Sequence, residues 1–198
     1  MNFMSLKYSN TTSDFLEWDT MLNLVRRLYD DKKYRISLLI SIGSFLGLRI
    51  SDILSLTWNQ ILNVERLELI EKKTHKRRII RINPQLQKHI KACYSALNCP
   101  QLESKCFISQ KRLVYSVQRI NVIFKELKIQ YNIRIENFST HSLRKTFGRA
   151  VYNSSGTNAE FALTKLCEIF NHADVKTTRR YLGLRGEELL EAYDLLKF

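Results

Sequence analysis

The stretch from Arg35 to Leu46 constrains this chain most. After Arg35 its only non-aliphatic, non-aromatic members are Ser37, Ser41, Gly43 and Ser44. A helix that is apolar on every side has to be covered by other elements. The run also falls well short of the roughly 20 residues that a bilayer-spanning helix needs. It is therefore predicted to be the central helix of a globular fold. A preceding helix begins near Trp18, with Leu22, Val25, Leu28 and Tyr29 at helical spacing. Gly47 interrupts the central helix, and Ile53, Leu54 and Trp58 resume a helical pattern over Ile50 to Trp58.

The period then changes. Glu65 to Glu71 and Arg77 to Ile82 each alternate around the basic stretch Lys72 to Lys76, which predicts a β-hairpin with a charged tip. Pro84, favoured near a helix start, opens a helix to about Leu97. Residues 98–112 read as loop with a short strand at Cys106 to Ile108. Further helices are predicted at Leu113 to Leu127, His141 to Tyr152, Ala159 to Phe170, Val175 to Leu182 and Glu187 to Leu196. Six glycines and two prolines in 198 residues agree with long uninterrupted elements. The expected fold is mainly α with a small antiparallel β-sheet, an α+β arrangement. Residues 1–14, polar and rich in Ser, Thr and Asn, are expected to be a flexible leader, and 15–198 one domain.

A net charge of +13 and a pI near 9.7 point to a polyanionic partner, nucleic acid being the commonest. Cys93, Cys99, Cys106 and Cys167 form no C-x-x-C pair and no zinc-like spacing with histidine, which suits reduced thiols in the cytoplasm. No membrane association is expected, since no apolar stretch reaches about 18 residues and no signal-peptide core is present.

Four groups of residues carry chemistry. In Thr140-His141-Ser142-Leu143-Arg144, Ser139 or Thr140 caps the next helix, so His141 and Arg144 share a face of its first turn beside the free N–H groups. A surface histidine beside a solvated arginine is the alternative. In Asn171-His172-Ala173-Asp174 and Thr177-Thr178-Arg179-Arg180-Tyr181, Asp174 caps a short helix and Gly183 ends it. Tyr181 then leans back toward His172, near Arg179 and Arg180. A phenol needs cations or a base to become nucleophilic at neutral pH; a core-packed tyrosine is the alternative. Arg49, in Gly47-Leu48-Arg49-Ile50-Ser51-Asp52, wants a bidentate anion, either Asp52 or a phosphate. The hairpin tip, with Lys72, Lys73, Lys76, Arg77 and Arg78, either reaches into a DNA groove or is a solvated basic turn.

Taken in order and spacing, these groups resemble the tyrosine recombinases, or phage-type integrases, from about Phe15 to Leu184. The pattern comprises Gly47-Leu48-Arg49-Ile50-Ser51-Asp52 with Leu56, then Lys73 on the hairpin, then His141-Ser142-Leu143-Arg144. It closes with His172 and, nine residues later, Tyr181 inside T-T-R-R-Y-L-G. Asn171 stands where the family usually has glycine, and Lys72 or Lys76 competes with Lys73 for the lysine's role. The family's N-terminal core-binding domain is not expected in this chain.

The resemblance implies the family's catalytic-domain fold and a DNA strand-exchange activity that needs no metal and no cofactor. Tyr181 would form a 3′-phosphotyrosyl bond, with Arg49, Arg144 and His172 on the phosphate. His141 would be acid or base, Lys73 the proton donor to the 5′-oxygen, and Asp52 the support that orients Arg49. Lys72, Lys76, Lys145, Arg149, Arg179 and Arg180 would contact double-stranded DNA, mostly at its phosphates. The resemblance further implies a homotetramer on DNA, a monomer in isolation being the alternative, with the C-terminal helix docking on a neighbouring subunit or on its own domain. A type IB topoisomerase-like nicking-closing enzyme and a non-catalytic DNA-binding regulator remain the competing functions.

Overall fold

The computed structural model of the protein describes residues 13–184 and Tyr193. The predicted leader up to residue 12 and the predicted helix Glu187 to Leu196, Tyr193 apart, lie outside the described residues. The central helix is α2, Tyr34–Leu46, with ten of its thirteen residues buried. It packs against α1 (Trp18–Asp30), α5 (Pro84–Ala96) and α7 (Thr140–Asn153). Gly43 permits the approach of α7, since a Cβ there would lie 2.5 Å from the Leu143 side chain. Apolar burial of this kind stabilises by about 25 cal/mol per Å² removed from water.

Gly47, left-handed at φ 58°, ends α2 and turns the chain so that Arg49 leads into α3 (Ile50–Ile53). The predicted helix over Ile50 to Trp58 is broken there, because Thr57 and Gln60 form a capping box that starts α4 (Trp58–Ile61). Strands β1 (Arg66–Ile70) and β2 (Arg77–Arg81) pair antiparallel, Arg66 opposite Arg81 and Ile70 opposite Arg77. They form the described residues' one sheet. The predicted strand at Cys106 to Ile108 reduces to isolated bridges, Thr57 with Lys105 and Ile108 with Val114.

Helix α6 runs over Val117–Gln130 rather than from Leu113. Ser116 caps it by accepting from the Arg119 N–H, and Tyr115 before it donates its N–H to the Phe107 carbonyl. A 3-10 turn at Gly156–Asn158 leads to α8 (Ala159–Phe170) and α9 (Val175–Leu182). These last two helices pack on a second, smaller core of Leu163, Leu166, Phe170, Leu182 and Leu184. Asp14, assigned to the loose leader from sequence, is fixed instead. It exchanges two hydrogen bonds with Asn137, and Leu16 donates its N–H to the buried Thr146 hydroxyl at 2.8 Å.

Candidate active site

Arg144 lies in the first turn of α7, whose start is set by Ser139 through a capping box with Ser142. Its guanidinium is buried, 5% exposed, above the Phe170 ring at 4.3 Å. It donates to the carbonyl oxygens of Gly47 and, at 2.9 Å, Phe170. Arg49 donates to the same Phe170 carbonyl at 3.2 Å. That oxygen is free because α8 ends there, Asn171 turning left-handed at φ 50°, and helix C-terminal carbonyls attract cations. One carbonyl thus sets two guanidinium groups side by side.

The carboxylate on Arg49 is Glu71, at 2.6 Å. Glu71 follows β1 on the same side as Leu67 and also accepts from Arg78 at 3.0 Å and Thr74 at 2.7 Å. Burial alone would raise its pKa; the hydrogen bonds from Thr74, Arg49 and Arg78 outweigh that and hold it at about 2. The hairpin tip is moored on two sides. Asp52 accepts from the Lys72 N–H at 2.9 Å, and Lys76 donates to the Asn171 side-chain oxygen at 2.8 Å.

The nucleophile candidate stands on the last turn of α9, which Asp174 caps at Thr177 and Gly183 closes at φ 80°. The Tyr181 ring meets His172 edge-on at 5.2 Å and Phe170 at 5.5 Å. Its Oη is shut off from solvent and makes no hydrogen bond among the described residues. His172 is itself oriented by the buried Thr178 hydroxyl, 3.0 Å from its Nδ1. Arg49, Lys73, His141, Arg144, His172 and Tyr181 all line one cavity of about 390 Å³. A roomier cleft of about 580 Å³ behind α7 has Glu17 and Arg149 as the ionisable groups of its lining.

The cavity is strongly cationic. Burial pulls the Arg144 pKa down to about 10; Tyr181 opposes this, while Arg49 and Arg78 add to it. The group still carries its charge at neutral pH. Burial, then Arg144, Lys145 and Lys73, lowers the pKa of His141, and burial, then Arg144 and Arg49, lowers that of His172. Both shifts favour the neutral imidazole. Burial pushes the Tyr181 phenol up to about 12, against the pull of Arg144 and Arg49. Such a cup suits a multiply charged oxyanion such as a phosphodiester passing through a pentacoordinate state.

Residues 14–188 match the phage integrase family. The chain belongs to that family. This integrase-family chain is 30% identical over 169 residues to the probable integrase/recombinase YoeC of Bacillus subtilis (strain 168), covering 85% of this chain and 88% of YoeC. Its fold is that of the tyrosine recombinase catalytic core. It superposes on XerA recombinase with a TM-score of 0.68 at 22% identity, over 93% of this chain and 66% of that one. It superposes on XerH site-specific recombinase, bound to its palindromic difH substrate in a post-cleavage complex, with a TM-score of 0.69 at 19% identity. That match covers 96% of this chain and 55% of XerH. The chain thus spans about two thirds or less of these two recombinases. No described helix is long and apolar enough to cross a membrane.

Several side chains of this integrase-family site sit elsewhere than the sequence suggested. Asp52 moors the hairpin backbone and Glu71 takes the place beside Arg49, because the turn after Gly47 aims the guanidinium at the hairpin. Lys145, expected on the DNA-facing surface, is buried at 7% exposure with its Nζ 5.5 Å above the Tyr181 ring. It lies four residues after His141 and so one turn further along the same side of α7, where His141 is exposed and Lys145 is buried. Arg149 stacks on Phe15 at 4.6 Å. Arg179 pairs with Glu160 across α8 and α9, and the cations that act on the phenol are Arg144 and Arg49 rather than Arg179 and Arg180. Lys72, Lys76 and Arg180 are exposed. Asn171 serves where glycine is usual because asparagine tolerates the left-handed region.

Glu71, Phe170 and Thr178 were missed from sequence. A signal existed for Glu71: it shares the parity of Leu67 and Leu69 along β1, and a carboxylate on a buried strand face requires a cation.

Proposed function

We propose that this chain cleaves and rejoins double-stranded DNA as a site-specific recombinase, with Tyr181 as nucleophile. The carrying observation is the convergence of five basic side chains, from segments spread over more than a hundred residues, on one cavity that also contains the phenol. Arg49 and Arg144 hold the non-bridging oxygens of the scissile phosphate and neutralise the charge that grows on them. His172 adds a further hydrogen bond to that phosphate. The Tyr181 oxygen attacks phosphorus, its proton passing to neutral His141, and the bond from phosphorus to the 5′-oxygen breaks. The Lys73 ammonium supplies the proton that the departing oxygen takes up. The product is a 3′-phosphotyrosyl ester and a free 5′-hydroxyl. Because one phosphodiester is exchanged for another, attack by a second 5′-hydroxyl reverses the step and rejoins the strand.

The test is incubation with a pool of nicked duplexes carrying a randomised core, in which cleavage sheds a short strand and traps the enzyme. Denaturing electrophoresis should show DNA covalently bound to the wild type and none on Tyr181→Phe. An adduct of equal yield in Tyr181→Phe would contradict the assignment.

A further inference from the structure

Lys145 is a buried cation that the mechanism above leaves without a task. It follows Arg144 on α7, is 7% exposed, and makes no ion pair among the described residues. A buried ammonium has to be compensated by nearby acceptors or charge. Two features do so in part here, burial still lowering the pKa of the ammonium. Its Nζ lies 5.5 Å above the centroid of the Tyr181 ring, within cation–π range. The carboxylate acting on it is Asp14, fixed by the Asn137 N–H at 2.9 Å on the strap that crosses α7. With His172 and Phe170 edge-on to the same ring, the phenol is held on three sides while its oxygen stays unbonded.

We propose that Lys145 is a positioning residue for Tyr181, holding the ring face by a cation–π contact that tightens as the phenol gives up its proton. The inference rests on Tyr181 being the nucleophile. A phenolate spreads part of its charge into the ring, so a cation above the face attracts the ionised form more strongly than the neutral one. The other groups facing Tyr181 are Arg49 from the α2–α3 link, Arg144 and His141 from α7, His172 from the α8–α9 turn, and Lys73 from the hairpin; none is replaced in the variants below. Because Lys145 also lowers the pKa of His141, that imidazole is titrated by NMR in the same variants and its own shift is subtracted from the kinetic one.

Lys145→Met keeps the bulk and removes the charge, and Lys145→Arg restores a cation. Single-turnover adduct formation on the randomised nicked duplexes should shift its alkaline-rising limb upward by roughly half to one pH unit in Lys145→Met and return toward wild type in Lys145→Arg. A Lys145→Met profile superimposable on the wild type, or a shift that Lys145→Arg fails to reverse, overturns the proposal. A second measurement needs neither DNA nor a variant. In wild-type protein with labelled tyrosine rings, nuclear Overhauser contacts should join the Lys145 side chain to the Tyr181 ring, and their absence also overturns it. If wild type forms no adduct while those contacts are present, the nucleophile assignment fails and the ring-holding contact stands.

Discussion

The arginine side and the tyrosine side of the cavity are built to different standards. Arg49 and Arg144 adjoin Leu48 and Leu143 of the large core; Arg144 is clamped by two backbone carbonyls and Arg49 is bonded to one of them. Glu71 holds Arg49 from behind. Tyr181 rides on an eight-residue helix over a core of five buried side chains, held by ring contacts, its hydroxyl without a partner among the described residues. Preorganised charge is what stabilises a transition state, because no reorganisation is needed during reaction. A nucleophile, by contrast, has to move into line. The difference assigns anion recognition to the rigid side and leaves engagement of the phenol to a smaller, separately packed unit.

Substitutions on the two sides should therefore fail differently. Tyr181→Phe should abolish adduct formation, by a factor of about 10³ or more, with thermal unfolding within a degree or two of wild type because no hydrogen bond is lost. A large drop in stability would show the tyrosine side to be as tightly built as the arginine side. Arg144→Ala should cost about 2.7–4 kcal/mol of transition-state stabilisation. Arg144→Lys should rescue little, since an ammonium cannot bridge the Gly47 and Phe170 carbonyls as a planar fork does; single-turnover cleavage rates measure both.

Glu71→Gln should cost stability as well as rate, about 3 kcal/mol in urea unfolding, by leaving Arg49 and Arg78 facing each other uncompensated. The same group predicts acid sensitivity. Its pKa of about 2 in the folded chain lies below the ordinary 4.5, so its contribution is complete above pH 4.5 and is lost as pH falls toward 2. In Glu71→Gln that part of the pH dependence should vanish. The smallest effect is expected for Thr178→Val, which frees the His172 ring at a cost of about 1 kcal/mol in stability. Cleavage in that variant should slow by about tenfold, read from the same single-turnover rates.

Much of this architecture is legible in one dimension because its signals are local. The apolar run of α2, the Gly47 stop, the Ser139 and Asp174 caps and the Gly183 terminus each act within a turn of the chain. Hydrophobic spacing misled at α6, where Leu113 and Val114 continue the apolar pattern but Ser116 supplies the cap. The site residues that escaped notice act across distance. Glu71 belongs to Arg49 only once the hairpin folds back 22 residues, and the Phe170 carbonyl has no side-chain signature at all. Lys145 shows the reverse failure: one basic residue among 32, it reads as surface until the helix face is known.

The central claim is that the cationic cup presents a DNA phosphate to one particular phenol. Nuclease and protease digestion of the trapped complex, followed by mass spectrometry of the nucleotide-bearing peptide, tests it most directly. The expected result is a single modified peptide with the phosphodeoxynucleotide on Tyr181. A nucleotide attached to any other residue would contradict the account.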